Sequence, residues 1–564
     1  MGVSMARPSN SVDPHRRRFL KTAAATSLTL ALPGLYSCSQ SPGGLDVLIT
    51  NGKIYDGSAQ GDWEAMDLGI SNGRIRALGN LNHLKPQARK HIDARGCWVV
   101  PGFIDVHTHC DLTFLKSGWK RHLARVMPSW KGNHNYLHQG VTTVITGNCG
   151  WGYGDTDQWY TMVDQLTFGT NVGHLAPHGV LRNQVLSQYG QPHAQGLTPA
   201  QADQLRGRVA LELDKGALGL SCGLEYAPGI FSPTRELAAL CHTVEKQNKV
   251  FTIHMRDESG KITGPGRFGV LDAIDETLDI ARGTGVSTQI SHLKISSPFN
   301  GLDGRAIVDP ILNAREKGLD IHADQYPYAA GSTTLAYLLP REFKGVDGVN
   351  DAARTRSGKR EIQTHIKEVF THLPPDKILI TIHPADEDCE GKTLADIARI
   401  QGKSPAETYV NLTCGEEPAM AVFFGQDPEV VKAVMPRDFV ITASDGWTVP
   451  KDMTHPHPRT HGTFPRKLKR FAMDDKTLDL LPALHSMTGL PATKFGLDHR
   501  GFIRPDYHAD IAVIDPTTLA SPATYLKPHA YARGIVHLFV NGVHTIDNGK
   551  TTGQRGGCSL RRTS

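Results

Sequence analysis

The feature of this sequence that most constrains its fold is a series of eight short apolar runs that alternate with helix-like segments. Short buried strands that alternate with helices are typical of βα units, which build a parallel sheet. Eight such units close most simply into a (β/α)₈ barrel, so we expect an α/β fold of this kind. The runs are 98–106, 141–146, 171–175, 217–220, 250–254, 286–292, 319–324 and 439–444.

Side chains that can bind metals follow these runs at the points where the predicted strands end. Active sites of (β/α)₈ barrels lie at the carboxyl ends of the strands, so these side chains should converge. Zinc prefers imidazole, thiolate and carboxylate ligands. Because His107 and His109 are two residues apart, a strand projects both to one face. The pattern predicts a zinc site whose candidate ligands are His107, His109, Cys149, Glu225, His254, His292 and Asp445.

Short-stranded sequence flanks the predicted barrel at both ends. Segments 46–56 and 67–78 alternate apolar and polar residues and turn at Asn-Gly, which is typical of β-hairpins. The tail segments 509–515 and 535–546 have the same character. Neither end has enough strands to bury a core by itself. We therefore expect one small β-sandwich built from residues 44–97 and 501–564, with the barrel at 98–500 and a charge-rich insertion near its mouth at about 340–377.

The first 40 residues have the pattern of an export signal. Arg16 and Arg17, followed by Phe19, Leu20 and Lys21, resemble a twin-arginine motif. The apolar stretch 22–35 that follows is too short for a membrane span and is typical of a signal peptide. The segment that ends at Cys38 resembles a lipoprotein cleavage site. We expect an exported, periplasmic protein whose only membrane attachment would be a lipid on Cys38.

Charge and cysteine content argue against a nucleic-acid-binding protein and against a disulfide-rich one. The formal net charge is +5, and the first 38 residues contribute +4 of it through five basic residues against Asp13. The remaining +1 leaves no basic surplus for binding nucleic acid. The nine cysteines are odd in number and scattered, which does not indicate a disulfide framework. A near-neutral globular enzyme that acts on a small molecule is the expectation.

Longer motifs resemble one known group of enzymes. The leading β-segment, PGFID-x-H-x-H, SDG and the closing ADI-x-V-x-D resemble the amidohydrolase superfamily. More specific motifs resemble the D-aminoacylase, or N-acyl-D-amino-acid deacylase, family, and the likeness runs from about Asp46 to the end of the chain. These motifs are GNCG, GLEYAPG, HMRDE, SHLK, YPYAAGST, HPR-x-x-GTFPR and the tail VNG-x-x-x-x-DNGK-x-TG-x-RGG.

The resemblance implies two metal positions. A zinc ion would be held tightly by Cys149, His254 and His292. A second, weaker divalent ion would be held by His107, His109 and Asp445. Glu225 stands where other branches of the superfamily place a bridging ligand, so Cys149 and Glu225 are both candidates for the bridge between the two metals.

The resemblance also implies an activity, which is zinc-dependent hydrolysis of the amide bond of N-acyl-D-amino acids. Asp445 would act first as the general base and then as the general acid. The products would be a carboxylate and a free D-amino acid. Two alternatives stay open from the sequence: a D-dipeptidase or cyclic-amide hydrolase of the same superfamily, and a non-catalytic exported binding protein. The residues matched to binding a substrate with a free carboxylate are Lys294, Tyr326, Ser332 and Arg459.

Overall fold

The computed structural model of the protein describes most of the chain downstream of residue 43. The predicted export segment, residues 1–40 with Cys38, lies outside the described residues. Within the described part, no helix is both long enough and apolar enough to cross a membrane. The described ranges are 44–115, 125–190, 196–298, 300–344, 348–383, 385–415, 419–449 and 454–562.

Eight parallel strands form the barrel and follow one another in chain order. The two-residue strand Ala176–Pro177, directly after the third strand, pairs with the fourth. A parallel bridge between Thr108 and Gly446 joins the first strand to the eighth just past their ends. The predicted (β/α)₈ order is therefore confirmed. The strands are β1 (Phe103–Asp105), β2 (Val141–Thr146), β3 (Asn171–His174), β4 (Gly219–Gly223), β5 (Val250–His254), β6 (Ser287–Ile290), β7 (Ile321–Gln325) and β8 (Val440–Thr442).

Helices lie between successive strands and bury their apolar faces against them. The helix before β4 begins at Pro199 and is capped by Thr198, whose side chain accepts a hydrogen bond from the Gln201 N–H in a capping box. Leu237 and Leu240 share a buried core with Phe251 of β5. The helices of the barrel are Leu112–Leu115, Pro128–Lys131, His134–Leu137, Thr156–Leu166, His178–Gln188, Pro199–Asp214, Thr234–Lys246, Gly269–Thr284, Gly304–Glu316, Pro428–Val434, Arg459–Arg466, Leu480–His485 and Gly489–Phe495.

Strands from both ends of the chain build the flanking β-sandwich. Ile511–Ile514 from the tail pairs antiparallel with Trp98–Pro101, and Ile49, Val99 and Phe539 share one buried core. The first sheet has the order Arg74–Gly79, Asp67–Ser71, Val47–Thr50, Lys90–Asp93. The second has the order Lys550–Thr551, Val543–Asp547, Ile535–Val540, Ile511–Ile514, Trp98–Pro101, Lys53–Tyr55, Trp63–Ala65.

Two sequence expectations about strand limits are wrong. The apolar run 98–106 is two strands, which Gly102 separates. The chain at Gly102 passes so close to Thr142 that a Cβ on residue 102 would lie 2.2 Å from the Thr142 Cγ2 atom. Trp98–Pro101 belongs to the sandwich, and the barrel begins only at Phe103. Segment 46–56 is not a hairpin either. Its two strands lie in different sheets. Gly52 lies between these strands, and the chain there passes so close to Val99 that a Cβ on residue 52 would be 2.5 Å from the Val99 Cγ2 atom.

The insertion between β7 and β8 is larger than the predicted 340–377. It extends from Gly331 to Phe423, because its first strand, Gly331–Thr334, pairs antiparallel with its last, Met420–Phe423. Ile378–Ile382 pairs with the other edge of Met420–Phe423. The insertion has its own buried core, and its helices are Gly348–Ala353, Arg356–Val369, Leu394–Gln401 and Pro405–Thr413.

A lysine is buried against strand β8. Lys467 is 2 % exposed and begins a π-helical stretch that continues helix Arg459–Arg466. Its ammonium donates hydrogen bonds to Thr442 Oγ1 at 2.9 Å and Ser486 Oγ at 3.0 Å. Burial lowers the pKa of Lys467 to about 7, because the charged form is poorly solvated there.

Replacing Lys467 by Met is expected to stabilise the fold near neutral pH, with a gain that disappears in alkali. The unfolded chain keeps the lysine proton up to about pH 10.4, whereas the folded protein releases it near pH 7. The cost of Lys467 is therefore greatest below pH 7, of the order of 4–5 kcal/mol, and vanishes as the pH approaches 10. Thr442 and Ser486 keep their mutual hydrogen bond of 2.8 Å.

The measurement is the apparent Tm of Lys467→Met and of the unmodified protein between pH 6 and pH 10. Lys469→Met is the matched control, because Lys469 is exposed and lies on the same π-helical stretch. It should give no pH-dependent gain. A gain for Lys467→Met that is the same at pH 6 and at pH 10 would contradict the burial argument.

Candidate metal centre

Three strand ends turn sharply and bring their side chains into one space. Cys149 after β2, His292 after β6 and Asp445 after β8 have φ angles of 55°, 35° and 50°. Such left-handed positions cost non-glycine residues of the order of 1–3 kcal/mol each and persist only where the surroundings hold them. Gly147 must lack a side chain, since a Cβ would lie 2.2 Å from the Leu175 carbonyl oxygen. The backbone at these turns is strained in order to place the three side chains.

Cys149 lies at the centre of the cluster. Its Sγ atom is 3.3 Å from His107 Nε2 and 3.8 Å from His292 Nε2. The sulfur forms one group with the donor atoms of His254 and His292 and another with those of His107 and His109. Within each group the donor atoms all lie within 4.8 Å of one another. The one thiol therefore belongs to both of the predicted metal positions.

The donor atoms fit zinc. Zinc binds sulfur at about 2.3 Å and imidazole nitrogen at about 2.0–2.1 Å, so two ligand atoms of one ion lie about 3–4 Å apart. Burial alone would raise the pKa of Cys149, but the charges on His107 and His254 hold it well below its ordinary value. The resulting thiolate is the form that binds metals. Cys149, His254 and His292 would therefore hold one ion, as the motifs imply.

Two buried carboxylates lie behind the histidines, at ion-pair distance from their Nδ1 atoms. Asp324 Oδ1 lies 3.3 Å from His107 Nδ1 and accepts the backbone N–H of His292 at 2.8 Å. Glu258 Oε1 lies 2.9 Å from His292 Nδ1, and its other oxygen pairs with Lys294. A carboxylate at the second ring nitrogen fixes the tautomer and the orientation of a metal-binding histidine.

Neither of these carboxylates is among the metal ligands predicted from the sequence. Glu258 lies within the HMRDE motif, four residues after His254, and Asp324 lies at the end of a predicted strand. The strand-end rule that selected the histidines could therefore have selected Asp324 as well. For Glu258 the only signal was its place in the motif.

Asp445 lies between the histidines of the metal cluster and the guanidinium of Arg459. Its Oδ1 atom lies 3.2 Å from His109 Nε2 and 3.7 Å from His107 Nε2, and its Oδ2 atom lies 2.9 Å from Arg459 Nη2. Burial alone would raise the pKa of Asp445, but Arg459 and the histidines hold it well below its usual range. Asp445 is therefore a carboxylate at neutral pH, and it faces both the metal ligands and Arg459.

The residues matched to substrate binding line one cavity of about 840 Å³. Arg459 packs over the ring of Tyr326, 4.7 Å from its centroid, and donates to the Ser332 carbonyl oxygen at 3.3 Å. Lys294 is held by Glu258 at the same wall. The cavity is also lined by His254, His292 and Asp445 and, from the insertion, by Ser332, Tyr337 and Lys344.

Glu225 lies beside the metal cluster but is tied to the insertion. Its Oε2 atom lies 3.3 Å from His254 Nε2, and its Oε1 atom lies 3.4 Å from Lys344 Nζ. Glu225 forms a possible ligand group with His254 and Glu258. Cys149, by contrast, forms groups with both pairs of histidines. The distances favour Cys149 as the bridge.

Comparison with known proteins places this geometry in a family. The profile of the Amidohydrolase family matches residues 360–551. An N-acyl-D-glutamate deacylase of Alcaligenes xylosoxydans xylosoxydans is 32% identical over 521 residues, covering 88% of this chain and 93% of that protein. A D-aminoacylase of the same organism is 30% identical over 542 residues, covering 92% and 98%. The chain belongs to the D-aminoacylase family of amidohydrolases.

A solved structure agrees with this assignment. The crystal structure of N-acyl-D-glutamate deacylase from Bordetella bronchiseptica, complexed with zinc and a phosphonate inhibitor, is similar with a TM-score of 0.76. The identity is 31%, over 92% of this chain and 100% of that one. The D-aminoacylase resemblance and the barrel predicted from the sequence are both confirmed, and a zinc ion is consistent with the donor set around Cys149.

Two substitutions test whether Cys149 or Glu225 is the ligand that both metal positions share in this D-aminoacylase-family protein. Cys149→Ser is expected to weaken zinc binding at least about a hundredfold, or about 2.7 kcal/mol, because serine stays protonated near pH 7. Glu225→Gln should weaken it less than about tenfold. Zinc content after dialysis against a graded chelator measures both effects. Loss of the metal from Glu225→Gln, together with retention in Cys149→Ser, would make Glu225 the essential ligand.

Proposed function

We propose that this chain hydrolyses the amide bond of N-acyl-D-amino acids and releases a carboxylate and a free D-amino acid. The observation that carries the proposal is the position of Asp445. One of its oxygens faces the histidines of the metal cluster, the other faces Arg459, and the residue lines the cavity. The N-acyl-D-glutamate deacylase and D-aminoacylase relatives support this reaction class and the D configuration.

The metal ligands and Asp445 have different roles in the proposed reaction. Cys149, His254 and His292 would hold a zinc ion, which would supply a Lewis acid and activate a water molecule for attack. Asp445 is ionised and accepts the proton of the attacking water on the oxygen that faces His109. The same carboxyl then donates this proton to the departing amine nitrogen, which is general base catalysis followed by general acid catalysis.

Arg459 has the donors that a substrate carboxylate needs. Its Nη2 atom is engaged by Asp445 and Ser332. Its Nε and Nη1 atoms are buried and have no hydrogen-bond partner among the described residues. Buried donors without partners are costly, and a substrate's α-carboxylate would satisfy one of them. Tyr326 supports the guanidinium from below and itself accepts a hydrogen bond from Gln426 at 3.1 Å.

The test compares matched D and L N-acyl amino acids. With the carboxylate fixed at Arg459 and the acyl group fixed at the metal cluster, only one hand can place its side chain in the cavity. We expect kcat/KM to favour the D form at least about a hundredfold, about 2.7 kcal/mol. Comparable rates on D and L N-acetyl-methionine would refute the stereochemical assignment.

Two variants assign the roles within that assay. Asp445→Asn should lower kcat at least about a hundredfold, because an amide cannot carry the proton. Arg459→Lys should mainly raise KM, about tenfold, since an ammonium group cannot reproduce the guanidinium geometry. Arg466→Lys is the matched control, because Arg466 lies on the same helix, packs over Tyr328 and donates to the Pro327 carbonyl oxygen. An unchanged kcat/KM in Arg459→Ala would remove Arg459 from substrate binding.

We also propose that the protein is exported to the periplasm by the twin-arginine route. The support is the Arg16-Arg17 motif and the apolar stretch 22–35. This route carries folded cargo, so the Cys149 thiolate would acquire zinc in the reducing cytosol before export. A lipid on Cys38 would anchor the mature protein to a membrane.

Replacing Arg16 and Arg17 together by Lys should keep the protein in the cytoplasm. Arg7→Lys, upstream of the motif, is the control and should leave export unchanged. Fractionation of cells that express each variant gives the result, and Cys38→Ser separates membrane-bound from free periplasmic protein. Normal export of the double Lys variant would exclude the twin-arginine route.

A further inference from the structure

A second group of metal-ligand side chains lies in the β-sandwich, outside the barrel. His537 belongs to strand Ile535–Val540, and His544 and Asp547 belong to the adjacent strand Val543–Asp547. His537 Nδ1 lies 3.2 Å from His544 Nε2 and 3.2 Å from Asp547 Oδ1, and the last two atoms are 4.0 Å apart. None of these residues contributes to the cavity or to the cluster around Cys149.

The three donor atoms have the spacing of a transition-metal site. A circle through them has a radius of about 2.1 Å, so one point is equally distant from all three at the length of a zinc–nitrogen or zinc–oxygen bond. We propose that His537 Nδ1, His544 Nε2 and Asp547 Oδ1 bind a divalent transition-metal ion, zinc above all. Two imidazoles and one carboxylate suit zinc, copper and nickel rather than calcium or magnesium.

The cluster is open enough for an ion to enter. The side chains of His537 and His544 are 10% and 15% exposed, and that of Asp547 is 33% exposed. Solvent can therefore supply a further ligand to the ion. His544 is held in place beforehand. It stacks on Phe539 with ring centroids 4.4 Å apart, and its strand pairs antiparallel with the strand of His537, with a register irregularity between Leu538 and Phe539.

Lys90 is the group that opposes the metal. It comes from the other sheet of the sandwich, and its ammonium lies 2.9 Å from His544 Nδ1 and 2.7 Å from Asp547 Oδ2. When His544 Nδ1 accepts from Lys90, the proton of the neutral ring is on Nε2, the atom that must bind the metal. Metal binding therefore moves the ring proton to Nδ1, releases one hydrogen bond from Lys90 and leaves the Lys90–Asp547 pair intact.

This arrangement predicts how Lys90 tunes the site. Lys90→Gln replaces the ammonium by an amide whose oxygen can accept the Nδ1–H of metal-bound His544. Such a second partner typically changes metal affinity by about 10–100-fold. We expect Lys90→Gln to bind the ion at least about tenfold more tightly than the unmodified protein.

The experiment is zinc titration of the purified full chain, already loaded with one equivalent of zinc, by calorimetry, together with metal analysis after dialysis. The unmodified protein should take up one equivalent of zinc more than His544→Ala, with a dissociation constant of about 1 μM or tighter. His537→Gln should lose the same equivalent. His91→Ala is the matched control, because His91 is an exposed histidine next to Lys90 that lies outside the cluster. Turnover should be unchanged in all three variants.

Two results separate this site from the barrel site. His254→Ala should lose the barrel zinc yet keep the sandwich equivalent, and the apparent Tm of that variant should rise on adding zinc. Asp547→Asn serves in place of either histidine variant if one of these fails to fold. Equal zinc uptake by the unmodified protein, His544→Ala and His537→Gln would overturn the proposal. So would a Lys90→Gln protein that binds zinc more weakly than the unmodified one.

Discussion

The site depends on keeping a thiolate charged where water cannot reach it. Cys149 is only 5% exposed, and a buried sulfur anion is stable only if cations or metal ions surround it. His107, His254 and His292 provide that surrounding from three different strands. Their convergence requires the barrel, because only parallel strands that share one rim bring residues so distant in sequence to one atom. The left-handed turn at Cys149 is part of the same requirement, since an extended residue there would direct the sulfur elsewhere.

The carboxylate of Asp445 and the guanidinium of Arg459 form a buried ion pair in the wall of the cavity. Asp445 belongs to the metal cluster through His109 and to the substrate side through Arg459. Arg459 keeps two buried donors without partners among the described residues. A substrate with a carboxylate can accept a hydrogen bond from one of these donor atoms, whereas a substrate without one leaves both donors unsatisfied. The proposed preference for a free carboxylate thus rests on the same electrostatics that keep Asp445 ionised.

The sequence predicted the metal ligands because their signal is local. His107 and His109 share a strand face, and each further ligand follows an apolar run, so period and position suffice. Asp324 carries the same mark, because it ends a predicted strand, whereas Glu258 does not, since an acidic residue four positions after a histidine looks like a surface carboxylate until the fold buries it. The limits of the insertion were missed for a related reason. Its strands Gly331–Thr334 and Met420–Phe423 pair over a long separation that no local pattern reveals.

The most direct test of the central claim is X-ray absorption at the zinc edge of the full chain loaded with one equivalent of zinc. A Cys149 thiolate in the tight site gives one sulfur neighbour at about 2.3 Å beside nitrogen and oxygen neighbours at about 2.0–2.1 Å. The account predicts that sulfur shell, and its disappearance in Cys149→Ser. A spectrum with nitrogen and oxygen neighbours alone would contradict it, because the metal would then be bound without the residue around which the barrel site is arranged.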